Sequence, residues 1–401
     1  MKIKKATLWW GSPNSFSERE DERKVSWLEL FYDLVYAATI GHLTQYLSIN
    51  MSWQELGFTF FIFAFIYWSW TNGSLYHDLH GNNEIRTRLF TLLQIIAIAA
   101  VAVTLTDLFK EHHQPFAISF TLVQLIITYL WWSTGHFDPS HKPLNRYYVL
   151  NYSISVLLFI TSIGLDYNTA LILWAFALLL NLSTSLVSAN TIKKELKKRG
   201  EIFTLSATMV ERYGLFAIIV LGETVFGIID TIANIPVKGF YEWTEFTVGI
   251  IISFLLWWIY FGMIGNKKVK IGYRYFVLID YLNLILLFAI GVVGACTRAI
   301  LSPENSPSDT IIKWIFGIAL ITILISIIAL TYIREHDTEE LSHTYPTSKL
   351  ALLSAVLVLL LTFFSNLLSV LGFMSLITVL LLLPVLAGTI GWINFKVGKK
   401  K

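Results

Sequence analysis

Charge is what this sequence has least of. Asp, Glu, Lys and Arg together make up 14% of its 401 residues, against roughly 25% in a soluble domain. Cysteine is nearly missing too, and the single Cys296 excludes a disulfide scaffold. Nine prolines and 23 glycines are too few for a collagen-like fibre, and a net charge of +3 marks no polyanionic partner. No Walker A loop, zinc-protease helix or nucleotide-binding glycine fingerprint occurs, which leaves soluble nucleotide and metalloprotease chemistry without its usual residues. What remains is 55% hydrophobic and 15% aromatic, with a mean hydropathy of +0.62. Such a chain cannot cover itself with a wetted surface. It reads as an all-α, multi-pass membrane protein.

A spanning helix needs about 20 mostly apolar residues. Twelve segments meet that need: 27–47, 53–73, 88–108, 115–135, 146–165, 169–190, 208–229, 244–265, 275–300, 310–333, 349–371 and 375–395. The first, seventh and ninth are the least apolar reading, because each contains ionisable residues. No short apolar core precedes Trp27, so a cleaved signal peptide is not expected. Lys2, Lys4, Lys5, Arg19, Arg23 and Lys24 share one side with the even-numbered loops and with Lys396, Lys399, Lys400 and Lys401. Only Lys110, Lys238, Arg298 and Lys313 fall on the other. The positive-inside rule then places both termini in the cytoplasm. Trp9 and Trp10, next to those N-terminal lysines, suit an interfacial segment.

The chain also reads as two copies of one unit. Arg88, Phe90 and Gln94 recur as Arg274, Phe276 and Asp280, a constant offset of 186. Tyr67, Trp68 and Trp70 find a counterpart in Trp257, Trp258 and Tyr260, and His136 and Asp138 in His336 and Asp337. Six helices is an even number, so the two repeats would run parallel. The expected organisation is a tail (1–26), a first six-helix repeat (27–191), a basic linker (192–207), a second repeat (208–395) and a basic tail (396–401).

Charge inside an apolar span is expensive. Eight Leu, Ile, Phe and Val residues of the first segment supply about −2.4 to −4.8 kcal/mol of insertion, and Asp33 alone takes back about 2.5–3.5. Glu29, Asp33 and Tyr36 share one helical face, so that face must meet protein or a wet cavity. Gln94 and Asp280 sit about as deep in their own segments. In the seventh segment Glu211 and Arg212 open a polar set that Glu223 continues, and Arg212 is the obvious counter-charge for buried carboxylates. His42 is a candidate relay residue, with packing as its plainer role. His77, Asp78 and His80 fall on the loop after the second segment, where a polar loop explains them better than a metal site. Gly222 is a candidate for close helix packing.

Two stretches carry a resemblance. VSWLELFYDLVYAATIGHLT from Val25 and ERYGLFAIIVLGETVFGI from Glu211 resemble the paired signatures of the bacterial low temperature requirement A (LtrA) family. Trp27, Glu29, Phe31 and Asp33 carry the first pattern, and Glu211, Arg212, Phe216, Gly222 and Glu223 the second. That resemblance implies an integral protein of the bacterial cytoplasmic membrane and no particular activity. A fainter similarity links the chain to potassium channels built from two six-helix repeats. Phe31, Tyr32 and Asp33 carry part of their first-helix motif in one copy, and Arg212 and Phe216 in the other. It implies a related fold and a cation path.

The leading expectation is therefore a channel or transporter for a small ion, proton or potassium, working through the charged faces of helices 1 and 7. The alternatives are a structural or stress-related membrane protein without transport, and a membrane-embedded enzyme of lipid or envelope metabolism. No recognised catalytic set supports an enzyme, and no metal or cofactor is expected. The expected partners are the lipid bilayer, a small cation and further copies in a homo-oligomer, not nucleic acid.

Overall fold

A computed structural model describes residues 12–14, 23–82, 84–137, 142–200, 203–265, 267–302, 309–335 and 338–398. Twelve long helices account for nearly all of them: α1 (Trp27–Ile49), α2 (Trp53–His80), α3 (Ile85–Leu108), α4 (Gln114–Phe137), α5 (Lys142–Ser162), α6 (Tyr167–Arg199), α7 (Ala207–Ala233), α8 (Phe240–Met263), α9 (Tyr273–Leu301), α10 (Asp309–Ile333), α11 (Thr338–Phe363) and α12 (Val370–Gly398). Each overlaps one expected span. Beyond an isolated bridge between Val269 and Arg334, the described residues contain no β structure. Trp9, Trp10, Asp138, His336 and Asp337 lie outside the described residues.

Nine of the twelve helices are long and apolar enough to cross a membrane. Those that fall short are α1, α2 and α5, whereas the sequence pointed to the first, seventh and ninth. The reason is visible in α2. From Ile62 to His80 every residue is buried, so this part of the helix is covered by protein on all sides and can hold Ser69, Asn72, His77 and Asp78. It also runs two turns beyond the expected end, which puts His77, Asp78 and His80 on a helix rather than on a loop. The expected basic linker is likewise helical as far as Arg199. Asp166 caps the start of α6 by accepting from the Thr169 amide, and Gly200 closes its end at φ +69°.

The helices form two compact units. The first comprises Met1–His42, Ile62–Arg212 and Ile271–Val277; the second comprises Leu43–Phe61, Tyr213–Lys270 and Leu278–Lys401. In the first unit α3, α4, α5 and α6 pack on one another in succession. Phe65 of α2 is held by edge-to-face contacts with Phe120 of α4 and Phe159 of α5, at 5.0 and 5.3 Å. Trp174 of α6 stacks on Phe159 at 5.4 Å, and its indole donates to Ser162 at 2.8 Å. These rings fix the position of α2.

In the second unit α10, α11 and α12 pack in succession, and α12 returns against α8. Small residues bring helices close, as lipid-embedded packing requires. Gly294 of α9 faces Thr224 of α7, and Gly317 of α10 faces Thr362 of α11. Gly222 meets nothing within 4 Å, so it is not the packing glycine expected of α7; Gly227, against the Arg298 guanidinium, fills that part. Pro384 lies inside α12 and cannot donate to the carbonyl four residues back. The Ser354 hydroxyl of α11 supplies that bond, reaching the Leu380 carbonyl at 2.8 Å.

Candidate functional site

The first unit carries a buried charge network at the start of α1. Ser26 and Glu29 form a capping box: the Ser26 amide donates to Glu29 at 2.9 Å, and the Glu29 amide to the Ser26 hydroxyl at 3.3 Å. The same carboxylate takes both arms of Arg23, at 2.6 and 2.8 Å. Burial pulls the Arg23 pKa down, but the bond and charge of Glu29 more than offset this, leaving it above the ordinary arginine value.

One turn further along, Asp33 is fully buried. Arg212 of α7 grips it with a fork, Nη2 to Oδ1 at 2.5 Å and Nε to Oδ2 at 3.2 Å. The Trp70 indole of α2 donates to the same Oδ1 at 2.7 Å. Nη1 of Arg212 lies 3.5 Å from Glu29, and its guanidinium sits over the rings of Tyr32 and Trp70 at 5.7 and 6.0 Å. Two acids and two bases thus balance, with Arg23 at the partly exposed edge and Asp33 and Arg212 fully buried. A forked arginine suits that task, since its rigid plane reaches both oxygens of Asp33 and still lies beside Glu29.

Polar groups continue inward from the pair. Tyr36, its ring 4.7 Å from that of Tyr32 and tilted by 44°, is fully buried. Gln94 of α3 is also fully buried, and neither atom of its carboxamide has a hydrogen-bond partner among the described residues. Gly73 makes room here: a methyl at that position would overlap the Tyr32 hydroxyl and press on Gln94 Oε1 at 3.1 Å. Toward the end of α2, His77 Nε2 lies 3.2 Å from the Thr91 hydroxyl, Ser206 donates to Asp78 at 2.5 Å, and His80 Nδ1 lies 2.9 Å from the Asn14 carbonyl. No three His, Cys, Asp or Glu among the described residues are placed to share a metal ion.

Other expected site residues fall elsewhere. Glu211, next to Arg212 in sequence, points 100° away on the helix and is exposed. His42 is exposed, as are Trp27 and Phe31 on the outer face of α1. Glu223 and Asp280 are half-buried in the second unit, where the Tyr213 hydroxyl donates to Asp280 at 3.2 Å, and Phe216 is part of that unit's core. Gln94 belongs to the first unit and Asp280 to the second. Arg23 and Trp70 were not singled out as site residues, although Ser26-x-x-Glu29 is a legible capping signal close behind Arg23.

A family model described as bacterial low temperature requirement A protein matches residues 24–387, taking in both motif-bearing helices and the network they share. The chain belongs to the LtrA family. Within it, Asp33 and Arg212, one from each signature, are joined across 179 residues of sequence. The chain is also similar to the uncharacterized protein RA0937 of Rhizobium meliloti (strain 1021), at 28% identity over 252 residues. That match takes in 61% of this chain, which spans 60% of the length of the curated relative it matches. Membership of the LtrA family and the apolar helices together make this a multi-pass membrane protein.

Proposed function

We propose that this LtrA-family protein is a channel or transporter for a small cation, proton or potassium, with Asp33 on the path and Arg212 as its gate. The observation that carries the reading is the fully buried Asp33–Arg212 pair. Intramembrane charge is costly, and its usual justification is a substrate or proton route. The buried Tyr36 and the unpaired carboxamide of Gln94 supply oxygen and nitrogen groups beside it. Both oxygens of Asp33 are taken by Arg212, so this conformation is the closed one, and passage requires the fork to release. Glu223 and Asp280, in the second unit, are left off the path.

The same reading keeps both termini in the cytoplasm and α1–α6 and α7–α12 as parallel repeats. The clustering of Lys and Arg supports the first part, and the 186-residue offset the second.

The complete pairing of Asp33 also favours a second reading, a clamp that holds the bundle and moves nothing. Proteoliposomes separate the two. In dye assays under potassium and proton gradients, wild type should respond and Asp33→Asn should change the rate or ion preference, while Glu29→Gln has a weaker effect. A wild type silent under both gradients, or an Asp33→Asn response identical to it, removes the transport reading and leaves the clamp.

A further inference from the structure

Arg334 closes the second unit just beyond the last turn of α10, and it is a buried cation with no ion pair to an acid among the described residues. Only 1% of it is exposed. Its Nη1 donates to the Lys267 carbonyl at 2.8 Å, and its Nε is sealed from solvent with no hydrogen-bond partner. Among the described residues, the one acceptor given to its guanidinium is that neutral carbonyl. The contrast within this protein is direct: Arg212, equally buried, holds Asp33 in a fork and has Glu29 beside it. A buried guanidinium is seldom left with one neutral acceptor, because loss of hydration must be repaid by an anion or by further hydrogen bonds.

The surroundings suit an anion from outside the chain. Residues 267–270 and 333–335 lie side by side, joined by the Lys270 amide to the Ile333 carbonyl at 3.1 Å and the Glu335 amide to the Lys268 carbonyl at 2.8 Å. This short bridge brings Lys267, Lys268 and Lys270 next to the arginine in the backbone ladder. Lys268 and Glu335, its nearest neighbours there, are exposed, so Arg334 is one residue from the aqueous edge. An oxyanion accepts side-on from the arginine fork, so the edge that includes the unbonded Nε is the part such a group would engage.

We propose that Arg334 is the anchor of a binding site for a phosphate-type oxyanion, supplied either free or as the headgroup of an anionic lipid. The site is independent of the Asp33–Arg212 network and does not rest on transport. The test uses full-length protein in nanodiscs. Radiolabelled inorganic phosphate binding and thermal melting are measured in phosphatidylcholine discs, and melting is repeated in discs containing phosphatidic acid. Wild type should bind phosphate, or melt higher with phosphatidic acid, and whichever probe acts names the source. Arg334→Gln should weaken that effect at least tenfold, and Arg334→Lys, which keeps the charge but loses the fork, should fall between. If wild type responds to neither probe at matched ionic strength, the proposal fails whatever the variants do. It also fails if Arg334→Lys and Arg334→Gln retain the full wild-type response. Should Arg334→Gln not fold, Arg334→Lys alone decides.

Discussion

At the scale of single residues, the Asp33–Arg212 pair concentrates the largest electrostatic stake in the first unit. Replacing Arg212 by Gln leaves a buried carboxylate with one indole donor, and breaking a buried pair in this way costs about 3–5 kcal/mol. Replacing exposed Lys197 by Gln should cost less than about 0.5 kcal/mol. Melting of the two variants in detergent checks the difference, and equal midpoints would mean that Arg212 meets water. Gly73 makes a second case. Gly73→Ala drives a methyl into the Tyr32 hydroxyl, and overpacking of this kind costs about 1–3 kcal/mol. If Tyr32→Phe in the same chain recovers much of the lost midpoint, the clash is with the hydroxyl itself.

Individual elements make their own demands at helix ends and kinks. In α12 the Leu380 carbonyl loses its helical donor to Pro384, and the Ser354 hydroxyl replaces it. Ser354→Ala should lower stability by about 1 kcal/mol, while the same change in a Pro384→Ala background, where the helix regains its own amide, should cost much less. A double-mutant melting cycle measures that coupling. At the start of α6, Asp166 accepts from the amide and hydroxyl of Thr169, and these bonds hold its pKa below the ordinary aspartate value. A lowered folded pKa stabilises above the unfolded value and is lost as pH falls through the folded one. The midpoint advantage of wild type over Asp166→Ala should thus be full near neutral pH and shrink as the acid range below about pH 4 is entered. An advantage that persists unchanged at pH 2.5 would contradict the cap.

Over the whole molecule, the proposed orientation is open to labelling. Cys296 is buried, so a Cys296→Ser background permits single reporters. A cysteine at Lys197, in the last turn of α6, should react only with membrane-permeant reagent, whereas one at Val237, 83% exposed between α7 and α8, should react from outside intact cells. The reverse pattern would invert the topology.

What the sequence determined by itself was whatever composition and period dictate. Scarcity of charge and the recurrence of 20-residue apolar runs fixed the all-α class and located twelve helices, because a backbone without water must bond to itself. The insertion cost of Asp33 and the singular placement of Arg212 were enough to mark them as partners. Tertiary structure decided the rest, since burial depends on neighbours that sequence spacing does not reveal. It chose Asp33 and Glu29 over adjacent Glu211, because one residue along a helix turns a side chain through 100°. It enclosed α2 from Ile62 to His80 on every side, which turned a segment too polar for lipid into the polar interior of the first unit. It also left Arg334 buried under a backbone bridge with no ion pair among the described residues, a position that looks, in sequence, like any other interfacial arginine.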